Sequence, residues 1–370
     1  MKICHITTVH KPFDTRIYYK ECLSLMMAGY DVRIIAPHDK KEIINKIEIL
    51  PIPKPRNRFY RMFLLPFIAL RTALKYEASL YHLHDPELLF IGLILKSLGK
   101  KVIYDIHENY FEDILTSDTK EWIPKSFKYI VSNFYKKLEI FIAKKIDALI
   151  AATPNIYDNF SKVNNNTIYV CNYPDVEELN KIPTDWSRKE NAACYIGRIS
   201  ENRGIFKIIE AISKIDIKLL LAGEFSNKLQ RKKVSEMDGW QKVIEFGYVH
   251  RDEIINILSK AKVGLVILYP IKSYIESLPI KMFEYLAAGI PVIASNFPLW
   301  KKIIEDNHCG ICVDPYDVTA IAAAMNWIIT HPKESYDMGM RGRELVLKKF
   351  NWDTEKIKLL NLYNQLLQTT

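Results

Sequence analysis

The most constraining feature of this chain is an alternation that runs through it twice. Six short apolar, β-rich runs come first: KICHITTV, DVRIIAP, SLYHLHD, KVIYDIH, DALIAAT and TIYVCNY. Helical stretches separate them, such as Arg16–Ala28, closed by Gly29, and Lys125–Lys145. Continuous apolar strands separated by helices indicate a parallel sheet covered on both faces. A polar segment with two prolines and no period, PDVEELNKIPTDWSRKEN (174–191), then reads as a linker. After it the pattern restarts with AACYIG, KLLLAGE, VIEFGYV, VGLVILYP, PVIAS and GICVD. The expectation is an α/β chain of two doubly wound domains, 1–173 and 192–350. A last helix, within 351–370, would pack back across the hinge. A chain of 370 residues suits two cores of ordinary size. Ligands of such sheets bind outside the carboxyl ends of the strands, and two facing domains would leave a cleft between those ends.

Composition narrows the function. The net charge of +9 is shared about equally by the two halves and comes with no nucleic-acid motif, so no nucleic-acid partner is expected. The six cysteines are scattered; Cys309 and Cys312 form one C-x-x-C, but nothing completes a zinc site. Scattered thiols in apolar runs point to a reducing, cytoplasmic compartment. Met1 opens directly on an apolar strand, so no signal peptide is expected. One stretch is unusual. From Lys54 to Tyr76 there are six basic residues (Lys54, Arg56, Arg58, Arg61, Arg71, Lys75), no acid, and the apolar run FLLPFIAL between them. The run is too short to span a bilayer. It can lie on an anionic membrane surface, or pack its apolar stripe on its own domain.

Two constellations carry chemistry. The first is YIESLPIKMFEYLAAGIPVIAS, 274–295. Ser277 reads as the cap of a helix with Pro279 in its first turn and its stop at Gly289. The open backbone N–H groups and positive dipole end, at Ser277 and Leu278, offer a diphosphate seat. Glu276 lies just before that seat and Glu284 about 10 Å along the helix, so each carboxylate can accept hydrogen bonds from hydroxyls on a different side of the phosphates. The second is YIGRISENRG, 195–204, where Gly197 ends a strand and Arg198 and Arg203 follow at a strand-to-helix turn. Two guanidiniums there suit bidentate phosphate binding. Taken singly, each constellation also fits an ordinary amphipathic helix or a solvated basic turn.

Together, and in this order, these segments resemble the family 4 (group 1) glycosyltransferases, retaining enzymes of GT-B fold. The resemblance rests on Gly197-Arg198, Arg203-Gly204, the two glutamates separated by seven residues, the strand ends LLAGEF and EFGYV, and the ending FNWDTEKIKLLNLY. It implies that Arg198 and Arg203 bind the donor diphosphate, that Glu276 binds the transferred sugar and that Glu284 binds the ribose. It also implies a donor-sugar contact at the reaction centre for His107, which follows the strand KVIYDIH. Asp85 and Glu87, in HLHDPE, and Asp14 and Arg16, after the first strand, are possible acceptor-side residues; turn chemistry and helix capping are their plainer roles. Two departures stand out: Arg203 replaces the usual Lys, and TTVHKPFDTR lacks the glycine pair many members carry after the first strand.

The implied reaction is transfer of a hexose-type sugar from a nucleotide diphosphate donor, a UDP-sugar by preference, to a saccharide acceptor. A lipid-linked acceptor would place the enzyme in bacterial surface polysaccharide synthesis, peripheral to the inner face of the plasma membrane. No Asp-x-Asp is present, so no metal and no cofactor are expected; arginines and the helix dipole would stabilise the leaving charge. A sugar-nucleotide epimerase of the same architecture and a catalytically silent nucleotide-sugar-binding partner are the alternatives.

Overall fold

The computed structural model describes residues 1–116 and 124–368. The chain divides into two compact units, Met1–Asn172 with Trp352–Thr370, and Tyr173–Asn351.

In the first unit eight strands form one sheet: β1 (Lys2–Ile6), β2 (Asp31–Pro37), β3 (Glu42–Ile44), β4 (Ile47–Ile52), β5 (Leu80–Leu83), β6 (Lys101–Ile106), β7 (Ala148–Ala151) and β8 (Thr167–Tyr169). The order is β3-β4-β2-β1-β5-β6-β7-β8, parallel except for β3. All six runs read from the sequence are strands. β3 and β4 are additional. They turn over Asn45 and Lys46, both with positive φ (50° and 62°), without the glycine that usually marks such a hairpin. Pro51 also interrupts the strand pattern. It lies past the Ile47–Ile49 stretch that β3 pairs, so its missing N–H breaks no bond on that side.

Successive side chains of each strand enter opposite cores. Ile3, Ile34 and Leu80 pack with α1 (Leu23–Met27) and the C-terminal helix, while Cys4, Ile35 and Tyr81 pack with α2 (Leu65–Leu74) and its neighbours. The longer α3 (Lys125–Ala143) also belongs to this unit.

The second unit holds β9 (Ala192–Ile196), β10 (Lys218–Ala222), β11 (Val243–Gly247), β12 (Val263–Val266), β13 (Val292–Ser295) and β14 (Gly310–Val313), in the order β11-β10-β9-β12-β13-β14, all parallel. Its core gathers on α4 (Ile205–Ser213), whose Ile205, Ile208, Ile209 and Ile212 are buried at helical spacing. α5 (Ile280–Ala287) is buried almost throughout. The stretch 174–191 is more than a bare linker: it carries helical turns at Val176–Leu179 and Trp186–Arg188 and groups with the second unit. The C-terminal helix α6 (Trp352–Gln368) groups with the first, burying Trp352, Leu359, Leu362, Tyr363 and Leu366 there.

Each sheet has one point where the strand order reverses direction, between β1 and β5 in the first and between β9 and β12 in the second. The carboxyl ends of strands at such points are where open α/β sheets hold ligands.

Candidate functional site

At the β9/β12 reversal the backbone is drawn in tightly. A Cβ on Gly223 would lie 1.9 Å from the Gly197 carbonyl oxygen, and one on Gly204 would lie 2.3 Å from that of Ile267; both glycines have positive φ. These approaches place Gly197 and the turn Glu201–Arg203 over the end of the sheet. Arg198 is exposed and donates from Nε to Ser226 Oγ at 2.8 Å. Arg203 is half-buried, its guanidinium 5.6 Å from the Tyr274 ring centre. The tip of β9 is tied to α5 by the Ile196 N–H, which donates to the Tyr285 hydroxyl at 2.8 Å.

The turn before α5 differs from the sequence expectation. Ser277 does not cap the helix; its N–H and its hydroxyl both go to the Tyr274 carbonyl, 3.1 and 2.9 Å away, closing the short helix Lys272–Ile275 instead. The cap position is Pro279, which has no side-chain acceptor, so the first N–H groups of α5 remain uncapped. Gly289 does end the helix, with φ +69°. Glu276 closes Lys272–Ile275, and Glu284 is buried in the second turn of α5. Arg251 was not singled out by the sequence. Its Nη1 donates to Glu284 Oε1 at 2.6 Å, while its Nε donates to Glu178 Oε2 at 2.7 Å.

The first unit builds its own polar cluster at the β1/β5 reversal. Asp85 is buried and gathers the loop after β1. Its Oδ2 accepts from the Thr7 hydroxyl (2.8 Å), the Thr8 N–H (2.6 Å) and the Thr8 hydroxyl (3.3 Å). The Thr8 hydroxyl also reaches Glu87 Oε1 at 3.0 Å, which Arg61 Nε approaches equally closely. Asp14 Oδ1 accepts from the N–H groups of Arg16 and Ile17, the capping role, and Oδ2 meets His10 Nδ1 at 3.2 Å. Burial alone would raise the Asp14 carboxyl; His10 outweighs it and holds it below the ordinary carboxylate range.

Arg16 takes a different place from the acceptor-side position expected of it. It is buried and forked onto Asp105, Nε to Oδ2 at 3.1 Å and Nη2 to Oδ1 at 3.0 Å, with Nη1 on the Val170 carbonyl at 2.8 Å. Nε also lies 3.0 Å from Glu21 Oε1. Its donors are therefore spent inside the unit, where it neutralises Asp105 rather than meeting an acceptor.

Asp105 in turn holds His107. His107 Nε2 lies 3.1 Å from Asp105 Oδ2, and His84 Nδ1 lies 3.5 Å from the same oxygen. Burial pushes the Asp105 carboxyl up, but Arg16 and His107 more than offset it, so the group stays an ionised acceptor. Burial keeps His84 neutral, its pKa lowered to about 4. His84 Nδ1 also lies 3.3 Å from His107 Nε2, and His84 Nε2 lies 2.9 Å from His5 Nδ1. His5 Nε2 lies 3.3 Å from the Tyr363 hydroxyl, which is itself 2.7 Å from His82 Nδ1. The nitrogen of His107 left for other partners is Nδ1.

His5, Glu21, His82 and His84 bring four ligand atoms within 4.8 Å of one another. The His5 and His84 rings are nearly parallel (17°), with centroids 5.1 Å apart and Nδ1 of one 2.9 Å from Nε2 of the other. Cys309 and Cys312 are ordinary thiols, pushed up to about 12 by burial.

Two family profiles match the chain, one described as Glycosyltransferase Family 4 over residues 15–172 and one as Glycosyl transferases group 1 over residues 176–345. The chain belongs to the family 4 (group 1) glycosyltransferases. An uncharacterized glycosyltransferase of Methanocaldococcus jannaschii is 23% identical over 364 residues, covering 92% of this chain and 89% of that one. A GDP-mannose-dependent α-(1-6)-phosphatidylinositol monomannoside mannosyltransferase of Mycobacterium tuberculosis is 35% identical over 85 residues, 23% of this chain and 22% of the relative. Among solved structures, sucrose-phosphate synthase from Thermosynechococcus elongatus superposes with a TM-score of 0.77 at 20% identity, covering all of both chains. HepE of Anabaena, in complex with UDP, gives 0.73 at 14%, covering 99% of this glycosyltransferase and all of that chain. The fold is GT-B.

Proposed function

We propose that this glycosyltransferase moves a hexose-type sugar, with retention, from a nucleotide diphosphate donor to a saccharide acceptor. The observation that carries the reading is the β9/β12 reversal. There Arg198 and Arg203 follow the end of β9, and the uncapped start of α5 has Glu276 just before it in the chain and the buried Glu284 in its second turn. A diphosphate needs cationic and N–H donors, and the hydroxyls flanking it need carboxylate acceptors; this end of the sheet supplies both. In this reading Arg198, Arg203 and the Leu278 turn hold the diphosphate, Glu284 the ribose and Glu276 the transferred sugar. His107, its Nε2 fixed by Asp105, offers Nδ1 to that sugar at the reaction centre. Asp14, Asp85 and Glu87 belong to the acceptor side. UDP is the preferred nucleotide, in keeping with the HepE complex.

The acceptor proposed is lipid-linked, for assembly of a bacterial surface polysaccharide on the cytoplasmic face of the membrane. No helix among the described residues is long and apolar enough to cross a membrane. The Lys54–Tyr76 segment packs one apolar stripe on its own domain and leaves other apolar side chains exposed. α2 buries Leu65, Ala69, Leu70 and Ala73 in the core, while Phe59, Phe63, Leu64 and Phe67 stay exposed beside Arg56, Arg58 and Arg71. α3 adds exposed Phe127, Ile130 and Phe134 with Lys136 and Lys137. Mixed apolar and basic surface of this kind suits an anionic bilayer.

Titration calorimetry tests the donor roles. Glu284→Ala should weaken both UDP binding and turnover, whereas Glu276→Ala should bind free UDP as the parent does and lose turnover. Equal losses of UDP affinity in the two variants would refute the assignment.

A further inference from the structure

Lys281, in the first turn of α5, is 6% exposed, and its Nζ has no hydrogen-bond partner. An ammonium without an acceptor is an expensive thing to bury unless something arrives to meet it. Its surroundings say where. Nζ sits 3.6 Å from the centre of the Tyr195 ring, and a Cβ built on Gly197 would lie 3.4 Å from it. The side chain therefore reaches from the helix start to the glycine that precedes Arg198. The charged and titratable groups that face it are Arg203, Glu284 and the buried Cys194 thiol, with the Tyr195 ring beneath. Glu284 makes no hydrogen bond to it, and the Glu284 Oε1 is held by Arg251.

We infer that Lys281 is a third cationic ligand of the donor diphosphate, its Nζ and the open N–H groups of α5 meeting the same phosphate oxygens. The inference rests on the donor reading above and adds to it a residue that neither arginine can replace, because it approaches the phosphates from the helix side. Burial, and then Arg203, hold the free amine well below its ordinary pKa. Arrival of a dianionic diphosphate reverses that balance, so Lys281 takes up a proton on binding.

The test is calorimetry with UDP, GDP, ADP and uridine on the parent, Lys281→Met and Lys281→Gln, with folding checked by thermal unfolding. The best nucleoside diphosphate should bind the variants about tenfold or more weakly, as a lost charge-assisted bond requires, while uridine binds all three alike. At alkaline pH, in buffers of different ionisation enthalpy, the parent should take up more protons per nucleotide than the variants do. Variants within twofold of the parent for the diphosphate, or a loss shared equally by uridine, would overturn the role of Lys281 and leave the donor site standing. A parent that binds none of the diphosphates would remove the donor site and Lys281 with it. Should neither variant fold, the parent decides: proton uptake on binding the diphosphate that is absent with uridine supports the inference, and no uptake overturns it.

Discussion

At the scale of single residues, the two arginines of the proposed donor site and one buried acid give the sharpest expectations. Arg198→Ala and Arg203→Ala should each lower kcat/KM about tenfold or more, since charge-assisted bonds to phosphate contribute roughly 1.5–3 kcal/mol. Kinetic constants within twofold of the parent would make them surface residues. Glu139 concerns stability instead. Its Oε1 accepts from the hydroxyls of Tyr104 (2.9 Å) and Tyr135 (3.3 Å), and burial raises the carboxyl from 4.5 to about 7. A carboxyl whose folded pKa is raised binds its proton better folded than unfolded. It costs nothing below pH 4.5, and the fold loses stability progressively as pH rises towards and past 7. The full cost is roughly 3 kcal/mol above that range. Glu139→Gln keeps an acceptor without the charge. It should match the parent in Tm at pH 4 and exceed it at pH 8; equal Tm values at both pH values would contradict the raised pKa. Which residues matter was only partly legible. Arg198, Arg203, Glu276 and Glu284 stand in short local motifs. Lys281 and Arg251 became visible only when folding set them against Gly197 and Glu284, and Asp105 only when it met Arg16 and His107. Arg16 was misplaced for the same reason, because its partner lies on another strand.

At the scale of elements, apolar runs of five to eight residues identify twelve of the fourteen strands, since strands buried on both faces need little else from the sequence. The β3–β4 hairpin escaped because a proline and a turn without glycine hide it. The cap of α5 escaped because the Ser277 hydroxyl is satisfied by the preceding turn. The exposed faces of α2 and α3 make their own prediction. The exposed basic residues to test are Arg56, Arg58 and Arg71. Each basic residue near an anionic surface contributes about 1 kcal/mol, so replacing all three with Gln should cut co-sedimentation with anionic vesicles strongly, and salt should do the same to the parent. A triple variant that sediments as fully as the parent, or a parent that does not sediment at low salt, would remove the membrane role and favour a soluble acceptor.

At the scale of the whole molecule, two units each carry a polar constellation at the reversal point of their own sheet, one rich in cations and the other in histidines and carboxylates. That division suits a transferase in which one unit holds the nucleotide and the other supplies the groups that meet the sugar and its acceptor. Its family membership rests on profiles that between them match both units. The most direct measurement follows a labelled sugar. The purified protein is incubated with each of a panel of radiolabelled nucleotide-sugars, UDP-sugars first, together with a bacterial lipid extract and soluble saccharides, and the label is separated by solubility and chromatography. The account predicts that label from one donor moves into a lipid-linked or saccharide product with the anomeric configuration retained, and that Glu276→Ala abolishes the transfer. Label returned as an epimerised nucleotide-sugar, or a donor that binds tightly yet yields no transferred sugar with any acceptor, would contradict it.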